Sequence, residues 1–398
     1  MRTAGIICEC NPLHGGHRYL IDRARAGGAD AVIGVMSGCF VQRGDAAILD
    51  PYARAEMLLH SGVDLVLELP FPFSAATAEF FARAGVEILS RLGADEIWFG
   101  SESGSLEGLM RAAEVAESPA FCREYAETAQ TTGGTAEAYF SLLTQRCGKG
   151  VRFAPNDILG IAYLRALLRQ GAGMRPVTVR RLGSGYAEEK LTGGVIPSAT
   201  ALRRAWLEEG VEEILSYFSE EDGRILLREI QAGRAPASLE RIERMILGHF
   251  RLTSAAVLEK TAYLGGGLGN RMQQAAMEAS DLAEFLSLCA TKKYPNARLR
   301  RGILASLVGV SEADLRSPVG YVRLLGATAQ GCRFLSKQRK KSDLPVVTRT
   351  GDLPATAPAK RQRELEERAY GLYALTLPVS QGAGQTLLRS PVILGEKK

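Results

Sequence analysis

The sequence predicts an α/β protein: a doubly wound parallel sheet in residues 1–204, followed by a mostly helical, basic domain in residues 205–398. Three observations carry this prediction. Four short apolar runs alternate with helical patterns between Gly5 and Phe99, the signature of strand–helix units in a parallel sheet. The polar, glycine-bearing segments Asn11–His17, Ser37–Gly44 and Gly100–Gly104 each follow a strand, so they gather on one edge of such a sheet. Beyond Ala205 the strand-like runs give way to helical periodicity.

The first strand is the apolar run Gly5–Cys8, stopped by Asn11-Pro12. His14-Gly15-Gly16-His17 follows, and the pattern turns helical from Arg18 through Tyr19, Leu20 and Ile21. A strand, a glycine turn and a helix start place backbone N–H groups and a helix dipole where an anion binds. Two imidazoles in the same turn are expected to add movable positive charge, and a nucleotide phosphate is the natural guest. The second strand is Ala31–Met36, and its loop brings Arg43 beside glycines. Helix Pro51–Ser61, strand Leu65–Leu69, helix Ser74–Leu92 and strand Glu96–Phe99 complete the four units.

Helices are expected at Leu106–Phe121 and Ser141–Cys147, with a polar loop at Thr131–Thr135 between them. Ala154-Pro155-Asn156-Asp157 caps a helix at Ile158–Leu168, and Val177–Val179 is a short strand leading into Arg180-Arg181. Ser198 and Thr200 then stand at a helix start with Arg203 one turn on. Taken alone, Ser198 is a plain N-cap; beside the histidine turn it reads as a second phosphate clamp.

Helices are expected at Leu207–Phe218, Ile225–Ala232, Arg241–Phe250, Met272–Leu288 and Leu299–Val308, then a linker at Ala355–Lys360 and a last helix at Glu364–Leu377. The net charge is +5. Thr291–Pro345 holds twelve Lys and Arg against three acids, a net of +9, which leaves −4 for the rest of the chain. Lys292, Lys293, Arg298, Arg300 and Arg301 open this block. Such a field suits a polyanion, nucleic acid first; a merely solvated surface is the plainer alternative.

The seven cysteines show no zinc spacing, and buried thiols of a reducing cytoplasm are expected. Glu9 interrupts the N-terminal apolar run, and no run is long enough to cross a bilayer, so a cytoplasmic protein without a membrane partner is expected.

These residues resemble a known family. His14-Gly15-Gly16-His17 and Ser198–Arg203 resemble the HxGH and SSTxxR-like signatures of the nucleotidylyltransferase superfamily, with its Rossmann-like sheet. Asn11–His17, Ser37–Met57, Phe99–Gly104, Arg180–Tyr186, Thr291–Leu304 and Tyr321–Gly326 resemble, more narrowly, the bacterial tRNA(Met) cytidine acetate ligases. The chain departs from that family at Leu13, Gly15, Cys39 and Ala187, where Phe, Asn, Asn and a polar residue such as His are usual.

The resemblance implies that ATP activates acetate as acetyl-adenylate. The acetyl group then passes to N4 of the wobble cytidine of elongator tRNA(Met). It implies catalytic roles for His14, His17, Ser198 and Arg203. It places ATP on Ile7, Cys8, Glu9, Cys10, Asn11, Pro12, Leu13, Gly15, Gly16, Arg18, Tyr19, Leu20, Gly100, Asn156, Arg181 and Thr200, with Arg180 an open alternative to Arg181. Arg43 and the basic residues from Lys292 to Arg301 are assigned to the RNA substrate. Mg²⁺ is expected to arrive with ATP, without a dedicated metal cage, and neither acetyl-CoA nor a thiol acetyl carrier is expected. Two other readings compete: a small-molecule adenylyltransferase, which leaves the basic half of the chain unexplained, and a non-catalytic RNA-binding protein, which has no use for a phosphate clamp.

Overall fold

The computed structural model describes residues 1–132, 136–148, 153–182 and 197–395. Five strands run parallel: β1 (Thr3–Cys8), β2 (Ala31–Ser37), β3 (Leu65–Leu69), β4 (Glu96–Ser101) and β5 (Arg175–Arg180). Their order across the sheet is β5-β4-β1-β2-β3. The chain therefore winds outward in one direction through β2 and β3, then returns past β1 to add β4 and β5. The crevice beyond the ends of β1 and β4 is the topological switch point, where open α/β sheets bind ligands.

Both faces of the sheet are covered, and alternate residues show it. Ile7, Ile33, Val35, Ile97 and Phe99 pack with Phe81, Val86 and Leu164. Their neighbours Ile6, Cys8, Val32, Met36 and Trp98 pack on the other side with Ile21, Tyr52, Leu202 and Trp206. A side-chain period of two with apolar residues at every position is the requirement of a strand buried on both faces.

The helices that matter for the site are α1 (Gly15–Ala26), α2 (Pro51–His60), α3 (Ala78–Arg91), α4 (Leu106–Glu117), α5 (Pro119–Thr132), α6 (Ala136–Cys147), α7 (Pro155–Gln170) and α8 (Ala199–Glu208). Their ends refine the sequence reading. Pro119 divides the expected helix Leu106–Phe121 into two. The segment Phe73–Ala75 is a separate 3₁₀ turn, so α3 begins only after Thr77. The expected linker Ala355–Lys360 largely belongs to the helix Ala357–Leu375. Gly133–Thr135 of the expected polar loop, Gly183–Tyr186 of the arginine motif, and Ala187 lie outside the described residues.

One expectation about the second half fails. Strand character returns in β6 (Val322–Thr328), which pairs antiparallel with β3 and extends the same sheet. The short strands β7 (Val346–Val347) and β8 (Val392–Leu394) pair with β6 in turn. The sequence hid β6 because Arg323 interrupts its apolar run; in the fold Arg323 is buried between Glu68 of β3 and Glu366. A core of the C-terminal helices, with Phe250, Phe285, Leu299 and Tyr373 at full burial, also takes in Phe40, Phe71 and Ala76 from the first half. Among the described residues no helix is long and apolar enough to cross a membrane.

Candidate active site

A cavity of about 360 Å³ opens at the switch point, within the size range of small-molecule sites. Its lining comes from the ends of β1, β4 and β5, the starts of α1, α7 and α8, and the loop after β2.

The start of α1 explains the histidine pair. His14 is the N-cap residue, in extended backbone, and its Nδ1 accepts from the N–H of Gly16 at 3.0 Å. The N–H of His14 in turn donates to Nδ1 of His17 at 3.3 Å. Two imidazoles thus form a reciprocal capping box, the work normally done by Ser or Thr with Glu. Their rings lie 4.0 Å apart, centroid to centroid. Because each Nδ1 accepts a backbone hydrogen bond, the proton of each neutral ring belongs on Nε2.

Desolvation in the cavity favours the neutral form of both half-buried rings. It lowers the His14 pKa well below the usual range, aided by His17, Arg181 and Arg203. It lowers that of His17 to about 4, aided by Arg181. The expectation of movable positive charge is therefore corrected: the turn presents neutral N–H donors, and the positive charge comes from the arginines. Arg43, Arg180, Arg181 and Arg203 all border the cavity. Arg203 also braces the site, since its guanidinium donates to the carbonyl of Asn11 at 2.5 Å and to the Thr200 hydroxyl at 3.3 Å. Ser198 is buried as the N-cap of α8, accepting from Ala201 N–H at 3.1 Å.

The opposite wall is built on α7. The Glu102 carboxylate accepts from the N–H groups of Asn156 and Asp157 at 3.1 and 3.0 Å, and from the Asn156 amide at 2.6 Å. The dipole of α7 is thereby already answered by a protein anion, whereas α1 is capped by uncharged rings. Arg181 donates to the Asn156 side-chain oxygen at 3.3 Å. Gly100 allows this packing, since a Cβ there would meet the Arg181 stem at 3.2 Å. Ala78, Phe81, Phe99, Ile158, Leu159 and Tyr163 supply apolar surface.

The loop after β2 is fixed by two devices. Arg54 of α2 is wholly buried and donates to the carbonyls of Glu9 (2.7 Å), Ser37 (3.0 Å), Leu49 (3.0 Å) and Gly38. Gly44, at φ +79°, lies against the backbone of Arg300 and Arg301, where a Cβ would meet Arg301 N at 2.5 Å. The Glu9 carboxylate accepts from Gln42 N–H at 2.9 Å. Burial raises the Glu9 pKa, opposed by Arg203, Arg43 and Arg54. Cys8 and Cys10 also line the cavity, their sulfurs 3.5 Å apart. Burial and Cys8 push the Cys10 thiol well up, so it stays protonated and is a poor nucleophile.

The structure brings together His14, His17, Ser198, Thr200, Arg203, Arg43, Gly100, Asn156, Arg181, Ile7–Asn11, Gly16, Tyr19 and Leu20. Other predicted residues stand elsewhere. Pro12, Leu13 and Gly15 shape the turn without lining the cavity. Arg18 turns away to Asp222 and Ser219. Arg298 donates to the carbonyls of Tyr263 and Gly265, Arg300 pairs with Asp45, and Arg301 donates to the Gln42 carbonyl. These three arginines hold the fold and the loop; Lys292 and Lys293 are exposed. The sequence reading missed Gln42, Phe81, Tyr163, Ile158 and Leu159. Gln42 stood in a quoted motif next to Arg43, and the apolar residues carry no signal beyond helical periodicity. Among the described residues no three His, Cys, Asp or Glu gather as a metal site.

A switch-point cavity with a histidine-capped helix start and surrounding arginines defines a nucleotidyl transferase. A family model described as HIGH Nucleotidyl Transferase matches residues 1–386. Two curated relatives named tRNA(Met) cytidine acetate ligase match almost end to end. That of Acetivibrio thermocellus is 33% identical, over 99% of this chain and 100% of its own. That of Listeria monocytogenes is 36% identical, over 94% and 95%. The crystal structure of apo Thermotoga maritima TmcAL superposes with a TM-score of 0.92 at 32% identity, covering 99% of this chain and 100% of that one. The same protein bound with alpha-thio ATP gives 0.90. The chain belongs to the HIGH nucleotidyl transferase family and, within it, to the tRNA(Met) cytidine acetate ligases.

Proposed function

We propose that the protein joins acetate to the wobble cytidine of elongator tRNA(Met) at the expense of ATP. One observation carries the reading: neutral His14 and His17, locked as Nε2–H donors, share the switch-point cavity with Arg43, Arg180, Arg181 and Arg203. The relatives' name supplies the acceptor, and alpha-thio ATP bound by the Thermotoga protein supplies the nucleotide.

In the first step an acetate oxygen attacks the α-phosphorus of ATP, and the bond to pyrophosphate breaks. Charge moves onto the leaving phosphates. His14 and His17 donate hydrogen bonds there without having to lose or gain a proton. Arg203, Thr200 and Ser198 answer the β- and γ-phosphates, and Asn156, Arg181 and Gly100 hold the adenosine. Prearranged donors of this kind are the chief source of catalysis in phosphoryl and nucleotidyl transfer. Mg²⁺ enters with ATP, held by phosphate and water. In the second step the cytidine N4 attacks the acetyl carbon. The bond to AMP breaks and the amine sheds one proton. An adenylate is already activated, so no acetyl-CoA is needed, and the protonated Cys10 thiol takes no part.

The test gives purified protein ATP, Mg²⁺, labelled acetate and total bacterial tRNA, with His17→Ala as control. Label in cytidine of elongator tRNA(Met) is expected. Loss of one donor to developing charge costs about 10²–10³ in rate, which is the drop expected in the control. Acetate-independent ATP turnover would point instead to a small-molecule adenylyltransferase.

A further inference from the structure

The basic block of the sequence is not one patch. Its first part, Thr291–Arg301, leads into the helix Asn296–Val308, whose start packs on Gly44 beside the catalytic cavity. Its last part ends the helix Ala329–Gln338 and lies elsewhere. Lys337 and Lys341 border a second hollow of about 550 Å³ together with Thr3, Gly93 and Asp95. Thr3 and Asp95 stand at the beginnings of β1 and β4. This hollow is therefore on the edge of the sheet opposite the catalytic cavity, which begins at the other end of the same strands.

We propose that this distal face, formed by Lys337, Arg339, Lys340 and Lys341, is a second RNA-contacting surface. It would hold phosphates of the tRNA body beyond the anticodon arm. The inference rests on the reaction proposed above and goes beyond it.

Four observations support it. All four side chains are exposed. None has a side-chain hydrogen bond or ion pair among the described residues, whereas Arg91 in the same hollow is satisfied by Glu87 and Asp343. Asp343, the acid nearest in sequence, is thus already committed. A helix C-terminus explains one or two cations through its dipole, but four within five residues exceed that need and repel one another. A bound polyanion relieves that repulsion and gains from all four charges at once. Distance then selects its kind. Thr3 borders the distal hollow and Ile6 is the first residue of β1 to line the catalytic cavity, so about 10 Å of β1 separates the two through the packed sheet, and the open path around it is longer. A nucleotide in the cavity cannot reach both. A folded RNA can, using its backbone for position and its splayed base for chemistry.

The test compares wild type with Lys337→Ala/Lys340→Ala/Lys341→Ala on two acceptors: full-length elongator tRNA(Met) and its isolated anticodon stem-loop. Acetate-dependent ATP–pyrophosphate exchange, which involves no RNA, reports that the variant is intact. With full-length tRNA, KM is expected to rise about tenfold near physiological salt while kcat holds, and the salt dependence to flatten by two to three contacts' worth, about 0.9 each for duplex. With the stem-loop, variant and wild type are expected to match. An unchanged KM for full-length tRNA overturns the proposal, as does an equal loss on both acceptors. If the wild type shows no acetate-dependent exchange, the reaction itself is wrong. Filter binding of full-length tRNA to the same pair then decides whether the face grips RNA.

Discussion

At the scale of residues, the proposed function rests on two histidines held neutral by desolvation. His14 and His17 were legible in the sequence because two imidazoles around a glycine pair, after a strand, are hard to explain otherwise. Their protonation was not legible, because it follows from burial and from backbone N–H groups that occupy Nδ1. The consequence can be measured. The His17 pKa is about 4 in the fold against 6.5 when free. The unfolded chain therefore binds more protons than the native one between those values, and stability gained from this ring rises with pH through that window and is complete above it. NMR titration should place the His17 midpoint near 4, with His14 also far below the usual range. A midpoint at 6.5 or above for His17 would show that the cap is not formed and that the ring is cationic at work. Among the missed residues, Phe81 and Tyr163 look like any core aromatic until the cavity is seen beside them. Arg18, which the family resemblance assigned to the nucleotide, is aimed instead at buried Asp222.

At the scale of elements, α2 is a device for holding loops. Arg54 ties carbonyls from the loop after β1, the end of β2 and the start of α2 into one guanidinium. Without it, four carbonyls, three of them buried, lose their donor, and each orphaned buried group costs about 1–3 kcal/mol. Arg54→Met is expected to lower stability by at least about 3 kcal/mol in urea unfolding, and to weaken ATP binding as well, because Glu9, whose backbone Arg54 holds, lines the cavity. Arg54→Lys should recover only part of this, since an ammonium lacks the planar fork that spans several acceptors. A change under about 1 kcal/mol for Arg54→Met would mean that these carbonyls find water instead. The strands and helices around α2 were readable from alternation and apolar runs. The helix ends were read less well. Pro119 divides a segment whose apolar spacing continues across it, and Pro358 starts a helix inside a stretch whose composition suggests a linker. In both cases a single backbone constraint outweighed the side-chain pattern.

At the scale of the molecule, the two halves of the chain share a sheet and a core. The fully buried strand β3 has β6 as its neighbour, so a chain ending at residue 204 would leave Leu65–Leu69 as an open apolar edge, a template for aggregation. It would also uncover Phe40, Phe71 and Ala76, which are buried among the C-terminal helices. Glu68 would lose Arg323 and Tyr370 together, leaving a buried acid without its partners. Each loss alone costs several kcal/mol, comparable to the whole stability of a domain. We therefore expect residues 1–204 expressed alone to be insoluble or molten. The intact chain should unfold in urea as one unit, with the fluorescence of Trp98 and Trp206 and the far-ultraviolet helix signal changing together. A soluble, ATP-binding fragment 1–204, or two separated transitions, would show instead that the sheet closes without its antiparallel neighbour. The cooperative outcome has a functional meaning. The helix Ala357–Leu375 reaches the loop after β2 directly, Tyr373 donating to the Ala47 carbonyl at 2.9 Å while Phe40 packs edge-on against its ring. The C-terminal helices therefore share their packing with the loop that places Gln42 and Arg43 at the cavity.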